Sequence, residues 1–218
     1  MSFGWNFVAR NLPLFAEGAI VTIQLSVLAI LAALVWGLVI VLARLSRWRL
    51  LALTATGYIE LVRNTPVLVQ MYFIYFGLAF AGLPLSGFAS ALLALTLQNG
   101  GYIAEIYRAG IESISRNQID AARGLGMRKL LVLRLVVLPQ AFFRIVPAIG
   151  NQFVVMIKDT SLASTLSVAE LMQAARILTD RTAATYEVFV TLAAFYLVMT
   201  AFVTLLLRLC ERRIAALR

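Results

Sequence analysis

Long apolar stretches separated by short polar segments dominate this chain. Residues 19–43, 64–102 and 188–207 contain no charged side chain. A helix needs about 20 apolar residues to cross the hydrocarbon core of a bilayer, so each stretch is long enough to span a membrane. The pattern predicts one all-α integral membrane domain over residues 1–218. Its five predicted spans lie near residues 17–43, 52–81, 87–110, 131–157 and 184–208.

Two of the predicted spans contain residues that disturb helices. Arg63 and Pro66 lie in the second span, and Arg144 and Pro147 lie in the fourth. Proline lacks a backbone donor and clashes with the preceding turn, so we expect kinks or breaks in these spans. Residues 82–87 contain two glycines and a proline, which predict a turn between the second and third spans.

The composition is typical of a membrane protein and limits the kinds of metal and catalytic site that the chain can form. Only 13% of the residues are charged, against about 25% in soluble domains. The chain has no His and one Cys, Cys210, which excludes an internal disulfide and most metal and catalytic sites. The net charge of +9 does not indicate nucleic-acid binding, because no basic patch is interleaved with aromatic residues. The first apolar run is too long for a signal peptide and should remain a transmembrane helix.

The basic residues predict the orientation of the chain. They collect after the first, third and fifth predicted spans, and cytoplasmic loops carry an excess of Lys and Arg. We therefore expect the N-terminus outside and the C-terminus in the cytoplasm. The residues behind this prediction are Arg44, Arg47, Arg49, Arg108, Arg116, Arg123, Arg128, Lys129, Arg134, Arg208, Arg212, Arg213 and Arg218.

The longest predicted cytoplasmic loop, residues 113–130, contains the most informative motif. Residues 120–126 read DAARGLG, and residues 113–125 predict a short amphipathic helix. Small Ala121 and Ala122 permit close approach of a neighbouring surface, and Asp120 suits a turn cap or a basic partner. Gly126 suits the left-handed conformation that ends a helix. The residues alone also fit an interfacial helix whose basic side chains contact lipid headgroups.

This loop resembles the signature of ABC-importer permeases. In that signature, Glu-Ala-Ala is followed by three residues and Gly, then by nine residues and Ile-x-Leu-Pro. The matching residues are Asp120, Ala121, Ala122, Gly126, Val136, Leu138 and Pro139, with Asp replacing Glu and Val replacing Ile. Other segments resemble the histidine- and glutamine-type permeases for polar amino acids. They are residues 58–66 (YIELVRNTP) with Gln70, residues 101–111 (GYIAEIYRAGI), residues 138–141 (LPQA) and residues 158–162 (KDTSL).

The resemblance implies a type I ABC-importer permease fold with five transmembrane helices and a cytoplasmic coupling helix. In that family the coupling helix docks into a groove on a separate ATPase subunit. The implied coupling residues are Asp120, Ala121, Ala122, Gly124, Leu125 and Gly126. The chain contains no Gly-Lys pair and hence no phosphate-binding loop. We therefore expect no enzyme activity and no cofactor in this chain, with ATP and Mg bound by the partner ATPase.

The resemblance also implies the remaining partners and the location. We expect a second permease copy or a paralogue, because five helices are too few to enclose a pathway. A periplasmic or extracytoplasmic amino-acid-binding protein would deliver the substrate to a multi-pass protein of the bacterial inner membrane, surrounded by lipid. Ser167-x-x-Glu170 predicts a capping box that starts a short outer helix through Arg176. That helix would dock the binding protein or serve as a plain connection.

Polar residues within the spans are the candidate substrate ligands. Neutral donors and acceptors suit a zwitterion, and Asp159 suits an α-ammonium group. The candidates are Thr65, Gln70, Asn99, Tyr102, Asp159, Ser161 and Ser164. The alternatives are hydrogen bonds between helices and a pair between Lys158 and Asp159. The i, i+3 spacing also predicts ion pairs within residues 60–63 and within residues 105–108.

The function that these patterns favour is the permease subunit of an ATP-driven, binding-protein-dependent importer of polar amino acids. The main alternative is a secondary amino-acid transporter driven by an ion gradient, which needs titratable or ion-binding residues deep in its spans. Asp159 is the only modest candidate for that role. An intramembrane hydrolase is a weaker alternative, since the chain lacks His and a matched Ser-Lys or Asp-Asp pair. The sequence does not distinguish basic, acidic and neutral amino acids.

Overall fold

The structure, a computed structural model, describes residues 4–215, and every regular element in that range is helical. Arg218 and the side chain of Arg213, which contribute to the predicted orientation, lie outside the described part. The helices are α1 (Trp5–Arg44), α2 (Arg49–Asn64), α3 (Val67–Phe80), α4 (Gly87–Glu112), α5 (Arg116–Gly124), α6 (Lys129–Val132), a π-helical segment (Leu133–Val137), α7 (Leu138–Asp159), a 3-10 helix (Thr160–Leu166), α8 (Leu171–Thr182) and α9 (Thr185–Ala215).

Three helical stretches of the described chain are long and apolar enough to cross a membrane. They are Trp5–Arg44, Lys129–Leu166 and Thr185–Cys210, and Val67–Phe80 is a shorter apolar helix. Helix α1 begins at Trp5, well before the predicted boundary at residue 17. Its first turns carry polar residues but are helical. The third predicted span corresponds to α4, which carries Gln98, Asn99, Glu105 and Arg108.

The helix break expected in the second span is confirmed. Helix α2 ends at Asn64, Thr65 has an extended backbone, and α3 begins at Val67 directly after Pro66. In the fourth span, Pro147 lies inside α7 without ending it. The irregular part of that span lies upstream, where the π-helical segment Leu133–Val137 precedes α7.

Helices α1 and α4 form the centre of the molecule and approach each other closely. A Cβ atom on Gly37 of α1 would lie 2.7 Å from Cγ2 of Ile103 and 3.0 Å from the carbonyl oxygen of Gly100. Ala29 and Ala33 of α1 and Ala94 of α4 are fully buried in the same core. Small residues let helix backbones come together in membranes, where packing rather than apolar burial drives association.

Charged residues tie α1 to α4 at one end of the pair. The predicted bond between Glu105 and Arg108 is confirmed at 2.8 Å, and Glu105 also pairs with Arg44 at the end of α1. Arg108 pairs in addition with Glu112. The pair between Arg44 and Glu105 joins the two helices, and the two pairs of Arg108 lie within α4.

The predicted pair between Glu60 and Arg63 is wrong, because each side chain has another neighbour. The Asn64 side-chain amide donates to Glu60 Oε2 at 3.1 Å, and the Arg63 guanidinium lies 5.2 Å from the centre of the Tyr102 ring on α4. A tertiary contact has therefore replaced the pair that local spacing favours, since a cation over an aromatic ring is also stabilised.

The capping box predicted at Ser167 is wrong, because Glu170 itself caps α8. Its carboxylate accepts hydrogen bonds from the backbone N–H groups of Met172 (2.9 Å) and Gln173 (2.7 Å) and from the Tyr196 hydroxyl (3.1 Å). Ser167 adopts the left-handed conformation with φ 58° and ends the 3-10 helix instead. As a result, α8 starts at Leu171 and runs beyond Arg176 to Thr182.

Glu170 is fully buried although it lies outside the three candidate spans. Burial raises its pKa to about 7 from an ordinary value of 4.5, against the opposing effect of its hydrogen bonds. The folded protein thus holds this proton more tightly than the unfolded chain does. The resulting stabilisation is fully present below pH 4.5 and is lost as the pH rises through 7.

We therefore expect Glu170→Gln to flatten the pH dependence of stability. The difference between the two pKa values corresponds to about 3 kcal/mol, lost by the unsubstituted protein on the alkaline side. Thermal unfolding of the detergent-purified protein, followed across this pH range, checks the expectation. Glu17→Gln, at an exposed position of α1, should retain the full dependence. An unchanged slope in Glu170→Gln would show that another group titrates.

Candidate functional site

Helix α5 is a compact nine-residue helix with a defined start and end. Ser115 is its N-cap, so it is shorter than the helix predicted over residues 113–125. Its end confirms the prediction for Gly126, which has φ 78°. The backbone N–H of Gly126 donates to the Arg123 carbonyl at 2.9 Å, and that of Met127 donates to the Ala122 carbonyl at 3.2 Å. These two bonds form a Schellman motif, which turns the chain sharply towards α6.

Helix α5 has one face packed inward and one face open. Ala122 is 6% exposed and packs with Ile114, Val132 and Val137, a group that we name the α5 cluster. This cluster attaches α5 to α6 and to the π-helical segment. The two alanines of the motif therefore do not share one surface: Ala122 faces inward, and only Ala121 faces outward.

The open face of α5 carries the other predicted coupling residues. Asp120, Ala121 and Gly124 are exposed, and Leu125 is 85% exposed. Asp120 lies within the helix rather than at its cap, with its Oδ1 atom 3.9 Å from Nη1 of Arg123. This face therefore combines an apolar side chain with small residues and a pair of opposite charges.

A basic groove adjoins the end of α5. It has a volume of about 390 Å³ and is lined by Gly126, Arg128, Leu130, Leu131 and Arg134. The sequence motif did not indicate Leu130 or Leu131 as surface residues. Their 75% and 45% exposure extends the open face of α5 into an amphipathic surface.

Among the candidate substrate residues, Thr65 and Gln70 lie together at the break between α2 and α3. The Gln70 amide donates to the carbonyls of Val62 at 2.9 Å and of Thr65 at 3.0 Å. Gln98 of α4 also donates to the Thr65 carbonyl, at 3.4 Å. Pro66 has no N–H to bond the Val62 carbonyl, and the Val69 N–H donates to the Pro66 carbonyl instead of the Thr65 carbonyl. The side-chain amides satisfy the two carbonyls that the break leaves unpaired. Thr65 and Gln70 also line a cavity of about 420 Å³ with mostly apolar walls.

Asn99 is buried at 1% exposure, between α4 and α7. Its side-chain oxygen accepts a hydrogen bond from the Gln152 amide at 2.7 Å, and its amide donates to the Leu95 carbonyl at 2.8 Å. The interhelical hydrogen bond weighed as the alternative is therefore present. Gln152 was not singled out in the sequence, although an amide within an apolar helix is the signal that could have indicated it.

Tyr102 of α4 is half-buried and lies against the end of α2. Its ring faces the Arg63 guanidinium, and its hydroxyl lies 3.5 Å from the Arg63 carbonyl oxygen. Tyr102 thus belongs with the residues at the helix break.

The remaining candidates lie where α7 meets the 3-10 helix. The Ser161 hydroxyl donates to the Lys158 carbonyl, and the Ser164 hydroxyl donates to the Ser161 carbonyl, both at 2.7 Å. Ser164 is buried, while Asp159 and Ser161 are half-buried. Within residues 4–215, the Asp159 carboxylate accepts no hydrogen bond and has no basic nitrogen within 4 Å, although the neighbouring Lys158 charge still acts on it electrostatically. Asp159 is therefore the candidate whose polar atoms are not already used.

Comparisons with known proteins agree with this arrangement. Residues 29–216 match the family model described as "Binding-protein-dependent transport system inner membrane component". The glutamine transport system permease protein GlnP of Escherichia coli (strain K12) is 36% identical over 219 residues, covering 100% of both chains. The nopaline transport system permease protein NocM of Agrobacterium fabrum is 37% identical, covering 94% of this chain and 90% of that protein.

A solved structure has the same fold. A chain in the crystal structure of an amino acid ABC transporter with histidines superposes with a TM-score of 0.94 at 38% identity, covering 98% of this chain and 100% of that one. The resemblance seen in the sequence is thereby confirmed. This chain is an integral inner-membrane permease subunit, with the ATPase activity on separate subunits and no cofactor of its own. By its sequence, its helical fold and its relatives, the chain belongs to the family of inner-membrane components of binding-protein-dependent transport systems.

Proposed function

We propose that this chain is the transmembrane permease subunit of an ATP-driven importer of polar amino acids, and that α5 is its coupling helix. The observation that carries the proposal is the division of α5 into two faces. One face is anchored in the α5 cluster, while the other exposes Asp120, Ala121, Gly124 and Leu125. A partner that pushes on the exposed face therefore moves the segment that leads into α7.

The occupant of the open face is an ATPase subunit. Leu125 supplies an apolar contact, and Arg128 and Arg134 in the adjoining groove supply positive charge. ATP binding brings two ATPase subunits together, and their movement displaces one α5 helix in each permease subunit. The spans then switch between inward-facing and outward-facing arrangements, and hydrolysis resets them.

The membrane arrangement that we propose has five spans, with the N-terminus outside and the C-terminus in the cytoplasm. The spans are α1, α2 with α3, α4, the helix from α6 through the 3-10 helix, and α9. The pair between Arg44 and Glu105 supports this orientation, because it brings the basic end of α1 to the end of α4 that leads into α5. The two basic segments then share the cytoplasmic side, as the charge rule requires.

Substrate chemistry follows from the relatives and from Asp159. GlnP is named for glutamine and NocM for nopaline, which supports an amino acid or an amino-acid conjugate as the substrate. In our proposal Asp159 accepts a bond from the substrate's ammonium group, with Ser161 beside it. Thr65, Gln70, Asn99 and Tyr102 hold the surrounding helices in position, and Ser164 anchors the 3-10 helix.

A second permease copy or a paralogue completes the pathway, and an extracytoplasmic binding protein docks on the side of α8. Helix α8 is held rigidly for such a contact, because Glu170 caps it and Leu171, Ala175 and Leu178 bury its inner face. Lipid surrounds the remaining apolar faces.

Reconstitution tests the proposal. The permease is assembled in proteoliposomes with its ATPase and binding protein, and uptake of labelled amino acids is measured. Uptake that needs ATP and the binding protein, and that survives ionophores, supports the proposal. Uptake that stops with ionophores and runs without ATP would establish the ion-gradient alternative instead.

A further inference from the structure

Arg144 of α7 makes a long-range bond to the link between α4 and α5. Its Nη1 atom donates to the carbonyl oxygen of Ser113 at 2.7 Å. Ser113 is the C-cap of α4, and Ser115 is the N-cap of α5. The bond therefore joins the end of α4, two residues before the N-cap of α5, to α7.

The helices around this bond are in direct contact. A Cβ atom on Gly110 of α4 would overlap Cγ1 of Ile145, the residue after Arg144. Ser113 is itself held, because its hydroxyl donates to the Gly110 carbonyl at 2.6 Å. Arg144 thus bonds to a fixed carbonyl at a close helix crossing, which makes the contact suited to passing on a displacement.

The same helix carries the polar groups that lie deeper in the molecule. Gln152 lies eight residues after Arg144, about 12 Å along a helix, and bonds to Asn99 of α4. Asp159 ends the helix. A shift of α7 at Arg144 would therefore also move Gln152, which bonds to Asn99, and Asp159, which we propose as the substrate ligand.

We propose that Arg144 is a positioning residue for transport, tying the start of α5 to α7 so that displacement of α5 moves α7. This inference rests on the proposed role of α5 as the coupling helix. The competing explanation is that Arg144 only satisfies a carbonyl at the end of α4, as basic side chains often do. That role predicts an effect on stability alone, whereas ours predicts an effect on transport per ATP hydrolysed.

The test uses the complete transporter with Arg144→Gln or Arg144→Lys in proteoliposomes, measuring uptake and ATP hydrolysis in the same vesicles. For Arg144→Gln we expect basal hydrolysis within about twofold of the unsubstituted value and transport per ATP lowered about tenfold, the scale of a coupling energy between sites. Arg144→Lys should retain at least half of the unsubstituted protein's transport per ATP, because one N–H donor is enough to bond one carbonyl.

Arg49→Gln is the matched control, because it removes the same charge from an exposed arginine. Arg49 is the first residue of α2 and follows the basic C-terminal end of α1. It should leave transport per ATP unchanged. An unchanged ratio in Arg144→Gln would overturn the inference, and so would failure of Arg144→Lys to recover it.

A cross-linking readout separates failure of this inference from failure of the proposed function. Ala121→Cys is introduced after the exposed Cys210 is replaced by Ser, and cross-links to the ATPase are measured with and without Arg144→Gln. Cross-links retained in Arg144→Gln, together with a lower ratio, support the inference. Cross-links lost only in Arg144→Gln would overturn it, because Arg144 would then act in docking. Cross-links absent even with Arg144 intact would overturn the proposed function itself.

Discussion

Replacing Gly126 by Asp is expected to abolish ATP-driven uptake while the chain still inserts into the membrane. Gly126 has φ 78°, a conformation that costs an L-residue about 1–2 kcal/mol. The substitution strains the Schellman turn that ends α5 and adds a negative charge beside the groove of Arg128 and Arg134. Loss of a central contact on a docking surface corresponds to a decrease of about 100-fold or more.

Gly82 provides a matched control for this substitution. It has φ 82°, and a Cβ atom there meets nothing within 4 Å, as is also true of Gly126. Gly82→Asp should therefore carry similar strain but retain uptake, because it lies in the loop between α3 and α4. Uptake, the amount of chain in the membrane fraction and co-purification of the ATPase are measured for both variants. Normal uptake by Gly126→Asp would contradict the coupling role, and equal losses would assign the effect to strain alone.

Valine at Gly37 is expected to destabilise the protein by about 3 kcal/mol, the upper part of the usual range for overpacking. Its Cβ atom would lie 3.0 Å from the Gly100 carbonyl oxygen. Backbone atoms cannot change rotamer, so α1 must move away from α4. That movement would disturb the buried alanines on both helices and weaken the pair between Arg44 and Glu105.

Gly57→Val is the control, because a Cβ atom on Gly57 of α2 meets nothing within 4 Å. Valine is also a better helix former than glycine, so this variant should be as stable as the unsubstituted protein. Thermal unfolding in detergent measures both. Equal melting temperatures for Gly37→Val and Gly57→Val would contradict the close packing of α1 on α4.

Features set by neighbours in the sequence could be predicted from the sequence. The apolar runs predicted the long helices, Pro66 predicted the break, and Gly126 predicted the end of α5. The pair between Glu105 and Arg108 followed from their spacing. Each depends on the covalent geometry of a few consecutive residues, and no distant part of the chain is needed to fix it.

Features set by distant residues could not be predicted in this way. Arg63 lies over Tyr102, and nothing in its local sequence indicates that ring. Glu170 caps α8 and also accepts a bond from Tyr196 of α9, while Ser167 is left-handed and ends the preceding 3-10 helix. The local capping pattern therefore pointed to the wrong residue. The bonds from the Gln70 amide to carbonyls that the break leaves unpaired were likewise not indicated by its local sequence. The inward face of Ala122 likewise depends on Val132 and Val137, which belong to later segments.

At the break between α2 and α3, side-chain amides bond the backbone carbonyls that would otherwise have no donor. Gln70 holds the carbonyls of Val62 and Thr65, and Gln98 reaches the Thr65 carbonyl from α4. If the angle between the two half-helices changed, rotation about the side-chain torsions of Gln70 and Gln98 would let their amide donors follow the carbonyl oxygens. Pivoting at Thr65 therefore does not require a bare peptide oxygen to meet hydrocarbon, where it would cost several kcal/mol.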